Sequence, residues 1–171
     1  MINSTIIVRH LRIYPDYPVH SFNLRRLSAD DAEHIVHIMS YNISKSLYEV
    51  PYPYTIEDTI NFILASDKDF DSLRAIHFAI DYNIYESGNS FQRIIGIVSL
   101  KNIDLINKKA NLGYWIGEEF WGKGIATECV KLVIRYGFSE LKLEKISACV
   151  YPENKASIQV LEKNGLSRKE R

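Results

Sequence analysis

Lys123 stands between Gly122 and Gly124, and a trio of this kind has a definite use. Glycines lack side chains, so the chain can turn sharply with its backbone N–H groups exposed. Where a helix starts just beyond, the N–H groups of its first turn have no partner inside the helix, and its dipole adds positive potential. Together these features make a site for a diphosphate. Two well-known phosphate loops fail on the residues present. Gly117 and Gly122-Lys123 match G-x-x-x-x-G-K, but a nucleoside-triphosphate loop then needs Ser or Thr for magnesium, and the next residue is Gly124. A dinucleotide G-x-G-x-x-G fails at its third glycine, where Thr127 stands. A plain strand-to-helix bend is the remaining alternative.

The flanking sequence says what holds the turn. In Asn111–Gly117, Leu112, Tyr114 and Ile116 alternate with Gly113, Trp115 and Gly117, which predicts a strand. After the turn, Ala126, Val130, Val133, Ile134, Gly137, Phe138 and Leu141 recur at three- and four-residue steps, the stripe of an amphipathic helix.

Upstream, a short strand over Ser21–Leu27 leads to Ser28, a helix cap followed by Asp30, Asp31 and Glu33, with Ala32, Ile35, Val36 and Met39 at helical spacing. Tyr48–Tyr54 is an irregular aromatic loop, and Thr55 caps a second helix whose apolar positions are Ile60, Ile63 and Leu64. Strands at Arg74–Tyr82 and Arg93–Leu100, joined through a turn at Glu86–Ser90, precede the central strand. Short loops make these three antiparallel neighbours.

Lys145–Tyr151 is a further strand, reached through a helix and therefore parallel to the central one. Asn154–Asn164 is a last helix, with Ile158 and Leu161 inward and Gly165 as terminator.

Composition narrows the class. The 171 residues carry no net charge, which removes any electrostatic case for nucleic acid or a membrane surface as partner. Cys129 and Cys149 fall on regular elements and read as buried free thiols of a reducing compartment. Neither they nor the five scattered histidines show metal-ligand spacing; His34 and His37 read as partly exposed surface residues. Arg9, His10 and Arg12 interrupt the apolar N-terminus, so no signal peptide is expected and the cytoplasm is the default location. The whole of residues 1–171 reads as one domain, with 1–19 an extension in which Ile6–Ile13 is a candidate strand.

Trp121-Gly122-Lys123-Gly124-Ile125-Ala126 resembles the coenzyme A signature R/Q-x-x-G-x-G/A of the GNAT superfamily of N-acetyltransferases. Trp121 replaces the usual Arg or Gln, as in the branch resembling ribosomal-protein N-terminal acetyltransferases of the RimJ/RimL type. The order of elements agrees, and so does the tail: Asn154, Ser157 and Lys163-Asn164-Gly165-Leu166 are similar to N-x-x-S/A followed by K-x-G-F. The resemblance implies an α/β (α+β) fold with a mixed central sheet flanked by helices, and acetyl-coenzyme A as cofactor.

It also implies roles for residues. Tyr114, Trp115, Ile116 and Gly117 match the strand whose free backbone groups bind the pantetheine amides, one N–H near Ile116 polarising the thioester carbonyl. Trp121, Gly122, Lys123, Gly124, Ile125, Ala126 and Thr127 match the diphosphate-binding turn. Asn154 is matched to a bond with the pantetheine arm, although Asn is also a favoured helix cap. Many members protonate the leaving thiolate with a tyrosine at the position held here by Leu161. Ser157 is the next candidate, since in the resembling branch the serine at that position faces the thiol, against its alternative as a solvated first-turn serine. No general base stands out: Glu118 and Glu119 are expected to face solvent, and Tyr114 to sit in the core.

The implied activity is direct transfer of acetyl to a primary amine, a protein N-terminal α-amine or a small amine such as a polyamine or aminoglycoside. The alternative is a non-catalytic coenzyme A-binding or dimerising module. GNAT domains normally continue past Gly165 with two more strands; the resemblance therefore leaves open either a truncated protein or a sheet closed by another element, the candidate strand at Ile6–Ile13 or a partner chain. The apolar edge at Lys145–Tyr151 is therefore expected to be covered, with a homodimer as the favoured route.

Overall fold

The computed structural model describes residues 22–47, 50–86 and 89–167. The candidate strand at Ile6–Ile13, the tip of the turn at Gly88 and Tyr48-Glu49 of the aromatic loop lie outside them.

Strand β1 (Phe22–Arg26) leads through Ser28 into a short 3-10 turn and helix α1 (Ala32–Ile38). Ser28 caps this start in a reciprocal box, its own N–H donating to the Asp31 carboxylate at 2.8 Å. A four-residue helix α2 (Tyr41–Ser44) and the longer α3 (Ile56–Asp71), capped by Thr55 and Asp58, follow. Strands β2 (Ile76–Glu86), β3 (Asn89–Asp104) and β4 (Lys109–Ile116) form the meander. Helix α4 (Ile125–Ser139), strand β5 (Lys145–Ala148) and helix α5 (Lys155–Lys163) complete the order.

The five strands lie in sequence order in one sheet, antiparallel from β1 to β4 and parallel between β4 and β5. Its two faces carry separate cores. Leu112 and Ile116 of β4 pack with Val130 and Val133 of α4 and Leu161 of α5 on one face. Trp115 packs on the other, with Ile35 of α1 and Ile63 of α3. The alternation read in β4 therefore separates two real surfaces, each buried Ile or Leu contributing roughly 1.5–3 kcal/mol. Arg25 joins the α1 side together, binding Asp31 and Asp81 at 2.6 Å each; both carboxylates are buried.

Several expectations are corrected. The buried face of α3 is Thr59, Ile63 and Ser66, whereas Ile60 and Leu64 are 42% and 56% exposed. The two polar residues can go inside because Thr59 bonds back to the Thr55 carbonyl at 3.0 Å and Ser66 to that of Ile63 at 2.8 Å. Phe138, one residue beyond the buried Gly137, has turned out to solvent. Strand β5 stops at Ala148, short of Tyr151, which leaves Cys149 exposed; Cys129 is buried as expected. Helix α2 was not expected at all.

Candidate active site

The site begins where β4 loses a neighbour. Gly117 donates its N–H to the Ile95 carbonyl at 2.8 Å, continuing a register in which Trp115 faces Ile97. Bonding in an antiparallel ladder alternates, so Trp115 turns its backbone groups and Gly117 its N–H to β3, the Gly117 C=O accepting the Phe120 N–H at 2.9 Å, and Tyr114 and Ile116 turn theirs away. On that far side β5 pairs only as far as Leu112↔Ala148. Beyond it the N–H and C=O of Tyr114 and the N–H of Ile116 face a gap. The C=O of Ile116 is taken by the indole N–H of Trp121, at 2.7 Å.

The glycine turn supplies a second set of donors. Gly122 and Gly124 have φ of +74° and +78°, a region that favours glycine. Gly124 is the N-cap of α4 and has no side chain to satisfy the first turn. The helix ladder begins with Glu128 N–H to Gly124 C=O at 3.2 Å, so the N–H groups of Ile125, Ala126 and Thr127 stay available. Lys123 points elsewhere, its ammonium 5.2 Å from the centre of the Phe120 ring.

Helix α5 forms the opposite wall. Asn154 is its N-cap, accepting the Ser157 N–H at 3.1 Å. The Tyr114 hydroxyl crosses from β4 and donates to the Ser157 carbonyl at 3.2 Å. Burial pushes the phenol above its usual pKa, so Tyr114 stays protonated at neutral pH. Tyr114 is thus at the site and not simply core. Leu161 is buried in the main core, where it has no proton to offer.

Helix α2 makes a wall that the sequence did not disclose. Ser40 caps it, accepting the Ile43 N–H at 3.2 Å, and donates its own hydroxyl to Glu118. Asn42 Nδ2 donates to the other oxygen of Glu118 at 3.3 Å. Glu118 is therefore exposed yet engaged, joining the end of β4 to α2. The available signal was Ser40, a favoured cap; four residues are too few to show a period.

These pieces enclose one cavity of about 880 Å³, lined also by Asn42, Ile43, Lys45 and Ser46 of the α2 wall. Tyr114, Trp115, Ile116, Trp121, Gly122, Gly124, Ile125, Ala126, Thr127, Asn154 and Ser157 all line it. Gly117 and Lys123 do not: Gly117 spends its N–H on β3, and Lys123 lies over Phe120. Strand amides along one side and bare helix N–H groups at one end suit a ligand with an amide-bearing arm and a diphosphate. Coenzyme A has both. Among the described residues no group of three His, Cys, Asp or Glu is placed to hold a metal.

A mixed sheet that parts at its central strand, beside a glycine turn and an uncapped helix, defines the class: an acyl-coenzyme A N-acyltransferase fold. The chain belongs to the acetyltransferase (GNAT) domain family, which it matches over residues 21–167. It is 31% identical over 147 residues to "Putative ribosomal N-acetyltransferase YdaF" of Bacillus subtilis (strain 168), covering 83% of this chain and 75% of that protein. It is 30% identical over 148 residues to the spermidine N(1)-acetyltransferase of Escherichia coli (strain K12), covering 86% and 74%. Among solved structures, the microcin C7 self-immunity acetyltransferase MccE in complex with acetyl-CoA and AMP superposes with a TM-score of 0.72. That pair is 28% identical, over 84% of this chain and 77% of the other.

Proposed function

We propose that this protein transfers an acetyl group from acetyl-CoA to a primary amine within a ternary complex. One observation carries the proposal: the unpaired end of β4 and the uncapped first turn of α4 open into the same cavity. In this reading the first-turn N–H groups of α4 hold the diphosphate, and the backbone of Tyr114 holds the pantetheine amides. Asn154 keeps its amide nitrogen for that arm while its oxygen caps α5.

The Ile116 N–H bonds the thioester oxygen as negative charge develops there. A C–N bond forms to the incoming amine, the C–S bond breaks, and the Ser157 hydroxyl gives its proton to the sulfur. The amine loses its own proton to water. An α-amine, with a pKa of roughly 7.7–8.0 against about 10.4 for lysine, asks little of a base.

The two acceptor classes suggested by the relatives' names, ribosomal and polyamine, both offer a primary amine, but only a protein N-terminus offers the less basic α-amine, since the amines of spermidine are alkyl amines like that of lysine. Calorimetry with coenzyme A, followed by acetyl-CoA turnover over a panel of N-terminal peptides, polyamines and aminoglycosides, tests the proposal. Coenzyme binding without turnover on any amine would leave a coenzyme-binding module instead.

Two further parts of the proposal concern setting. The free thiols of Cys129 and Cys149 support a reducing compartment such as the cytoplasm as its place, and no described helix is long and apolar enough to cross a membrane. The outer edge of β5 is unpaired among the described residues, which supports a homodimer joined there. Sedimentation at micromolar protein should then report twice the chain mass.

A further inference from the structure

The Ile116–Gly117 peptide is held at both ends. Its C=O accepts the Trp121 indole N–H at 2.7 Å, and its N–H donates to Ile95 at 2.8 Å. A peptide that precedes glycine meets the least steric resistance to rotation, so without a partner on each side this plane would be the loose one in the strand. Core packing does not account for the tryptophan. Trp121 is 52% exposed and belongs to neither hydrophobic core, and its indole lies along the cavity wall.

The consequence falls on the neighbouring amide. Ile116 turns both its N–H and its C=O into the gap left by β5. A bare carbonyl oxygen there would place negative potential beside the one N–H able to stabilise an oxyanion, and a low-dielectric site would magnify the effect. With the indole on that oxygen, the strand end presents a donor alone. The same bond closes the segment from Ile116 to Trp121 into a loop, fixing the glycine turn relative to β4.

On the acetyltransferase reading above, we infer that Trp121 is a positioning residue: its indole N–H occupies the Ile116 carbonyl and leaves the Ile116 N–H as the group facing the thioester.

Two variants test this. Trp121→Phe keeps an aromatic ring without the donor, and benzothienylalanine at position 121 keeps the full indole shape with sulfur in place of N–H. Amide hydrogen exchange at Gly117, measured without ligand, should accelerate about tenfold in both, as one hydrogen bond is lost. Coenzyme A affinity should fall by a smaller factor than the transfer rate, because the loop from Ile116 to Trp121 loosens while the diphosphate and pantetheine donors themselves remain. The single-turnover transfer rate should fall roughly tenfold to hundredfold, short of deleting an oxyanion donor outright. The carbonyl stretch of bound ¹³C-labelled acetyl-CoA should move towards its value in water.

Unchanged rate and unchanged stretch would overturn the inference, whatever Gly117 does. So would a rate that falls only as far as coenzyme affinity falls, which would make Trp121 a binding surface. A wild-type protein that transfers acetyl to no amine would remove the acetyltransferase reading and this role with it. The Gly117 exchange data would still tell that failure apart from a bond that was never there.

Discussion

Gly124→Ala separates backbone strain from ligand binding, because the fold contains a matched control. Gly124 has φ +78° and Gly165 has φ +82°, and a Cβ built at either meets nothing within 4 Å. Neither substitution creates a clash, so each carries only the cost of a left-handed L-residue, roughly 1–2 kcal/mol. The smaller entropy of the unfolded alanine chain offsets part of it, leaving about 1 kcal/mol of destabilisation for each. Their surroundings differ. Gly124 lines the cavity at the head of α4, and Gly165 lies beyond α5, outside it.

A methyl group at Gly124 would stand where a diphosphate must approach the Ile125–Thr127 N–H groups. Losing one charge-assisted hydrogen bond, about 1.5–3 kcal/mol, corresponds to at least a tenfold weaker Kd. Urea denaturation should therefore show two equal losses of stability. Calorimetry with coenzyme A should show weaker binding for Gly124→Ala and wild-type binding for Gly165→Ala. Equal affinities in the two folded variants would refute the assignment of this turn as the diphosphate site.

Ser157→Ala should lower the single-turnover rate by about tenfold or more with coenzyme A affinity unchanged, since a proton donor acts in the transition state; an unchanged rate would return Ser157 to its role in the first turn of α5. Burial holds His77 in its neutral form, with a pKa lowered from 6.5 to about 4 while its ring bonds Ser99 at 2.8 Å. The unfolded chain takes up that proton first, so stability should fall as pH drops from about 6.5 to 4 by on the order of 3 kcal/mol and level off below. Urea titrations across that range, with the His77 ring followed by NMR, check it; a His77 that titrates near 6.5 would contradict the burial argument. Arg25→Leu should cost about 2–3 kcal/mol in urea melts, the lower end for a broken ion pair because the guanidinium is partly solvated, by leaving Asp31 and Asp81 without their shared cation.

Much of the frame was legible in the chain because its signals are local. Ser28 and Thr55 cap their helices, Asn154 caps α5, and Gly122, Gly124 and Gly165 adopt positive φ. A cap or a left-handed turn depends on residues only three or four apart. The alternation in β4 held for the same kind of reason, since a strand between two cores must sort its side chains by parity. Sequence also located the glycine turn and the strand before it, and so the family.

What it left open depends on contacts between distant segments. Ile60 and Leu64 suit an inward helical face as well as Thr59 and Ser66 do, and only the docking of α3 decides between them. Helix α2, the cavity's fourth wall, is too short to show a period, and Glu118 holds it from 76 residues away in the chain. The decisive case is the strand end. Nothing local to Tyr114 or Ile116 states that their backbone groups are free, because that follows from β5 stopping at Ala148, opposite Leu112. Nor does a tryptophan in a glycine turn say which carbonyl its indole will find. Backbone donors have no sequence signature of their own; which of them remain for a ligand is fixed only after the sheet has taken the rest.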